Sequence, residues 1–161
     1  MATKEPAKQW AAALGRMASG LFVITARQGK TETGMLASWV QQCSFEPPLI
    51  SLAIRAGRDI LELLTPGATF AVNILDATQT DMIIHFGRGF ALNEPAFENL
   101  DVEHPNDGPA VLTESLAYLE CRVAARHATG DHELVIGQVV GGRLLSEDQP
   151  MVHVRKSGCH Y

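Results

Sequence analysis

Cysteine is scarce in this chain and its spacing pairs nothing. Cys43, Cys121 and Cys159 are odd in number and never form a C-x-x-C, so a disulfide scaffold is excluded and a reduced, cytoplasmic setting is expected. Long hydrophobic runs are missing too. The longest apolar stretches, Leu21–Ala26 and Leu49–Ile54, are about six residues and are interrupted by Thr25 and Ser51. Both are far short of a membrane span of roughly 20 residues. Met1–Gly20 scatters Lys4, Glu5, Lys8 and Arg16 instead of placing a basic leader before an apolar core, so no export signal is expected. Positive charge is in deficit: 13 Lys and Arg against 18 Asp and Glu leave a net charge of −5. That balance argues against a nucleic-acid or anionic-membrane partner.

Familiar site signatures are also lacking. The sequence contains no G-x-G-x-x-G, no G-x-x-x-x-G-K-[ST], no G-x-S-x-G and no H-E-x-x-H, which removes the usual dinucleotide, P-loop, hydrolase-elbow and zinc-protease readings. His127 and His132 are five apart and His153 and His160 seven apart. Neither is a zinc spacing, and no metal site is expected.

What is present is a chain of 161 residues, 46% of them hydrophobic, which suits one domain over residues 1–161 with a core of its own. Glu5–Ala18 reads as a helix, with Trp10, Leu14, Met17 and Leu21 on one face. Leu21–Ala26 and the run from Thr31 read as a hairpin turned at Gly29. Pro47 and Pro48 interrupt the next extended run, because proline cannot donate to a ladder. Leu49–Ile54 is a short strand, Arg58–Leu64 a short helix and Thr69–Leu75 another strand. Thr78 and Asp81 suggest a capped helix through His85. Phe86–Pro109 is long and turn-rich, which marks a functional or mobile segment. Leu116–Arg126 alternates, turns at Thr129-Gly130-Asp131 and returns as His132–Val140. Strands at this spacing with few helices indicate an antiparallel barrel.

Three segments carry candidate chemistry. In Gly34–Pro48 small and polar residues (Ala37, Ser38, Gln42, Ser44) break a β-competent run. Such a strip can lay its backbone along a flat ligand, and the same composition suits a bulged barrel strand. Arg55-Ala56-Gly57-Arg58-Asp59 sets cations before a helix start, as a phosphate seat would or as a solvated, capped loop would. Gly130-Asp131-His132 lies at a hairpin tip, where a Gly-Asp turn is routine.

Taken in order, Gly34…Ser44-Phe45-Glu46-Pro47-Pro48, Phe70-Ala71-Val72-Asn73-Ile74-Leu75, Tyr118-Leu119-Glu120-Cys121, Gly130-Asp131-His132 and the closing Tyr161 resemble the flavin-reductase-like family. Met35–Val40 and the tail Val152–Tyr161 are most similar to the flavin-reductase module of flavodiiron proteins, and the likeness runs over residues 10–161. The chain departs from the family at Leu36, Trp39 and Gln42, where many relatives carry Ser or Thr. The resemblance implies a mainly β fold with minor helices, a six-stranded antiparallel Greek-key split barrel that binds FMN. It also implies NAD(P)H:flavin oxidoreductase activity, with NADH or NADPH as co-substrate. By the same likeness Ala37, Ser38, Trp39 and Val40 line the flavin, and Gln42, Cys43 and Ser44 continue that segment. Arg58 meets the phosphate and His132 stands on the nicotinamide side. His153, Arg155, Lys156 and Tyr161 close over the flavin. A homodimer is implied, with an oxygenase or a diiron protein as electron acceptor. The alternative on the same barrel is a non-catalytic flavin or haem binder that carries electrons.

Overall fold

The main sheet has seven antiparallel strands, and its strand order forces it to curl. The computed structural model describes residues 9–161. Its elements in chain order are α1 (Gln9–Gly15), β1 (Ser19–Gly20), β2 (Phe22–Gln28), β3 (Thr31–Ala37), β4 (Val40–Ser44), β5 (Leu49–Arg55), a 3-10 turn (Asp59–Glu62), β6 (Thr69–Ile74), α2 (Thr80–Gly87), β7 (Val102–Glu103), a second 3-10 turn (Pro105–Asp107), β8 (Val111–Leu112), β9 (Ala117–Thr129), β10 (His132–Leu144) and β11 (Val152–His153). The sheet runs β3-β2-β6-β9-β10-β5-β4, and β1–β11 and β7–β8 form small pairs beside it.

Edge strands β3 and β4 are separated in the chain by Ser38 and Trp39 alone. Three Cα steps reach about 11 Å, whereas seven strands laid flat would set the edges roughly 29 Å apart. The sheet must therefore wrap into a barrel with one seam. This is the split barrel expected from the sequence. It has seven strands rather than six because Ser38 and Trp39 interrupt the run after Ala37 and make Val40–Ser44 a separate edge strand.

Inside the barrel Ile24, Leu52, Ile54, Phe70, Val72, Val123 and Val135 pack together, plugged at one end by Ile60, Leu61 and Leu64. Outside it, Phe86 of α2, Ala96 and Leu112 pack on Val23 and Leu75. β2 is thus covered on both faces, and Val23, Ile24, Thr25 and Ala26 are all fully buried. Buried polar groups on the outer face are matched: the Thr25 hydroxyl donates to the Ala110 carbonyl at 2.5 Å. Asn73 donates to Val23 O at 3.1 Å and accepts from Leu112 N–H at 2.8 Å. Gly137, at a register shift of β10, leaves room for the Phe70 ring, which a Cβ there would meet at 2.5 Å.

The first helix ends earlier than its periodicity predicts, at Gly15 rather than Ala18. Its Glu5–Lys8 portion lies outside the described residues, and Gln9–Gly15 buries Ala11 and Gly15 rather than the predicted stripe. Trp10, Leu14 and Met17 are exposed and only Leu21 is buried, because α1 packs its small residues against the tail: Arg155 N–H donates to Gly15 O and Gly158 N–H to Ala11 O. Arg58–Leu64 tightens to a 3-10 turn. The Thr78–Asp81 cap does not form, and Asp76 instead accepts from the backbone and hydroxyl of Thr78. The long segment after Phe86 is folded against the outer face through Phe90 and Phe97.

Candidate functional site

The barrel seam is also the floor of a cavity. Met35, Leu36, Ala37, Ser38 and Trp39 run across it, opposed by Leu21, Ala53, Ile83 and Gly87, with Arg55 and Arg58 at its rim and His153 and Tyr161 above. The space is about 380 Å³, within the roughly 300–1,000 Å³ of small-molecule sites. Ala53 N–H donates to Trp39 O at 3.0 Å, which ties the strip to β5 and keeps its small side chains close to the void.

Strand pairing assembles the polar end. His132 begins β10 directly opposite Arg55 at the end of β5, and the turn before it, with Gly130 at φ 57°, sets Asp131 beside the ring. Asp131 Oδ1 lies 2.7 Å from His132 Nδ1, and the Tyr161 hydroxyl lies 2.5 Å from Nε2. The bond from His132 is the main reason that the Asp131 carboxyl titrates below its usual range, with the nearby Arg55 charge adding a smaller pull. A carboxylate there requires the proton on Nδ1 in the neutral ring, so Nε2 accepts from Tyr161 O–H. Burial pushes the Tyr161 hydroxyl above its ordinary value, against the pull of Arg58 and Arg55.

Tyr161 reaches this place through an anchored tail. β11 pairs with β1, and close passage at Gly15, where a Cβ would sit 2.5 Å from Arg155 O, clamps the following turn on α1. The tail then folds back over Trp39. The Trp39 ring is 4.7 Å from that of His132 and 5.5 Å from that of Tyr161 between centroids, and the Arg155 guanidinium is 5.1 Å from it. Trp39, Arg55 and Tyr161 also border a polar cavity of about 270 Å³ completed by Asp131, His132, Arg155 and His160.

The structure therefore gathers Ala37, Ser38, Trp39, Arg58, His132, His153, Arg155 and Tyr161 at one mouth. Val40 lines a neighbouring apolar hollow with Leu14 and Met17. Gln42, Cys43 and Ser44 lie farther along edge strand β4, and Lys156 is exposed on the tail; none of them borders these cavities. Several contributors were not singled out from the sequence as site residues, Arg55 and Ile83 among them. Arg55 belongs to the cationic segment but gains its place from pairing opposite His132, which no local pattern reveals. Ile83 is one apolar residue of a helix. Among the described residues no three His, Cys, Asp or Glu side chains converge as a metal site, and no helix is long and apolar enough to cross a membrane.

An apolar slot with arginines at one end suits a flat ring bearing a phosphorylated chain. The comparisons agree with that chemistry. The family model described as flavin reductase like domain matches residues 14–160. Diflavin flavoprotein A 1 of Synechocystis sp. (strain PCC 6803) is 39% identical over 151 residues, covering 92% of this chain and 26% of that protein. The chain spans about a quarter of the length of the curated relatives it matches. Among solved structures, the NADH:FAD oxidoreductase of Streptomyces globisporus C-1027 superposes with a TM-score of 0.82 at 25% identity, over 89% of this chain and 85% of that one. The styrene monooxygenase flavin reductase of Pseudomonas putida S12 gives 0.75 at 26% identity, over 89% and 90%. The split barrel, the ring-sized slot at its seam and a match over almost the whole sequence lead to one assignment: the chain belongs to the flavin-reductase-like domain family.

Proposed function

We propose that this chain is an NAD(P)H:flavin oxidoreductase that uses FMN and passes the electrons onward. The observation that carries the reading is the slot itself, walled by Leu21, Leu36 and Ile83, with Arg55 and Arg58 at its rim and His132 and Tyr161 above the neighbouring polar cavity. Bound flavin supplies the electronics for hydride acceptance. The protein's part is to bind, orient and exclude water. Ala37, Ser38 and Trp39 support the ring, Arg58 holds the phosphate, and His132, its tautomer fixed by Asp131, faces the nicotinamide. His153, Arg155 and Tyr161 cover the mouth. No side-chain base is required, which accords with a site whose histidine is already paired on both nitrogens.

The apolar hollow beside Trp39, about 390 Å³ and lined by Leu14, Met17, Val40 and Leu134, supports a homodimer in which a second copy covers that flank. The Pseudomonas neighbour is by name the reductase of a monooxygenase, and the curated relatives are diflavin proteins. A partner oxygenase or a diiron protein is accordingly the acceptor proposed, in a cytoplasmic setting. The decisive experiment loads the protein with FMN and adds NADH, then NADPH, without oxygen. Rapid bleaching of the flavin band by either supports the enzyme. Flavin that dithionite bleaches but neither nucleotide touches would identify an electron carrier instead.

A further inference from the structure

Arg58 owes its place at the slot to the turn that follows it, and that turn has little internal support. Asp59–Glu62 is a 3-10 turn with Arg58 as its N-cap, no side-chain hydrogen bond at that cap and no basic residue in its last turn. Leu61 N–H donates to Arg58 O at 3.0 Å and Leu64 N–H to Leu61 O at 3.3 Å. So short a helix leaves its last carbonyls to find partners elsewhere. Ile60, Leu61 and Leu64 sink the turn into the barrel end, but apolar packing is non-directional and does not by itself aim Arg58.

A guanidinium from a distant strand supplies the missing direction. Arg126 of β9 donates from Nη1 to Leu61 O at 2.9 Å and to Leu64 O at 3.3 Å. Its other edge turns to β10, where Nε donates to Glu133 Oε2 at 3.0 Å and Nη2 donates to the same oxygen. Arg126 pairs with Val135 across the ladder, which sets Glu133 on the diagonal, within reach of a long side chain. The two side chains are 23% and 27% exposed, so water competes less for them than for a surface pair. A lysine could not serve both carbonyls and the carboxylate at once. Arg126 itself borders neither the slot nor the polar cavity. The hairpin that carries it ends in Asp131 and His132, and Asp131 O accepts from Ala56 N–H at 3.0 Å. The fork thus ties the segment bearing Arg58 to the hairpin bearing His132.

We infer that Arg126 is a positioning residue for the flavin phosphate: braced by Glu133, it holds the carbonyl end of the Asp59–Glu62 turn and so aims Arg58. This rests on the phosphate role proposed for Arg58 and adds the residue that fixes it in place. The test is equilibrium binding of FMN and of riboflavin, by flavin-fluorescence quenching, to the wild-type protein, Arg126→Met, Arg58→Ala and the double variant. Arg126→Met keeps the length of the side chain and removes the fork. It is expected to weaken FMN about fivefold and to leave riboflavin unchanged, which also certifies the fold of the variant. In the Arg58→Ala background the same change should cost FMN nothing more, because its effect runs through Arg58. Glu133→Gln, which keeps an acceptor for Nε, should retain most of the preference for FMN. Should Arg126→Met not fold, Arg126→Lys carries the same comparison, as a point charge without the fork. An unchanged ratio of FMN to riboflavin affinity, an equal loss of both flavins, or an undiminished effect in the Arg58→Ala background overturns the inference and leaves the flavin slot standing. Wild-type protein that does not favour FMN over riboflavin overturns the role of Arg58 as well.

Discussion

Arg58 borders the slot and His132 the neighbouring polar cavity, and the two should separate in experiment. Arg58→Ala is expected to weaken FMN by about tenfold while leaving riboflavin nearly unchanged, since only FMN offers the phosphate; paired titrations of the two flavins check it. His132→Ala should raise the KM for NAD(P)H more than the Kd for FMN, and stopped-flow reduction beside flavin titration distinguishes these. Tyr161 gives a pH signature. Its raised value in the folded protein means that its docking contribution is fully present below about pH 10. The contribution is lost as pH rises through the higher folded value. Tyrosinate absorbance of wild type minus Tyr161→Phe should show a transition above pH 10, and one at or below 10 would contradict the partial covering of its hydroxyl beside His132. All three residues were singled out from the sequence, Arg58 and His132 within short segments and Tyr161 as the closing aromatic of the resemblance. The contact between His132 and Tyr161, 29 positions apart, was not, because it depends on where the tail is clamped.

At the scale of elements, local pattern and tertiary demand part company in predictable places. The β9–β10 hairpin was readable because one face of β9 is buried, at Ala117, Cys121 and Val123, and alternation records that. β2 was readable as a strand, but its double-sided cover, and so the burial of Thr25, comes from a loop some 85 residues away. The helix stripe of Trp10, Leu14 and Met17 misled because periodicity reports a face without saying what meets it; here the tail meets the small residues instead. Asn73 is where two elements are tied by side chain alone. Asn73→Ala leaves the buried Leu112 N–H without its acceptor, and a loss of about 1–3 kcal/mol is expected. Chemical denaturation should show it as a lower midpoint with an unchanged slope.

For the whole molecule, composition excluded more than it assigned: a net charge of −5 left arginines to be concentrated where they matter, at Arg55 and Arg58 on one rim. Because the cavity exists only in the closed barrel, ligand and fold are linked. Flavin at a hundredfold excess over its Kd should stabilise the protein by about 2.7 kcal/mol. That shift should raise the melting midpoint by several degrees in differential scanning fluorimetry. Riboflavin at the same absolute concentration should do less.

The seam between β3 and β4 has one more consequence. A barrel's weakest line is where its edges meet without a ladder, and there the chain has placed Ser38 and Trp39, the residues that support the cavity. Breathing of that line widens or narrows the slot directly, so occupancy acts as a clasp across it. Slowed amide exchange at Leu36 and Val40 on binding would be the mark of a site whose affinity and whose mechanical closure are one quantity.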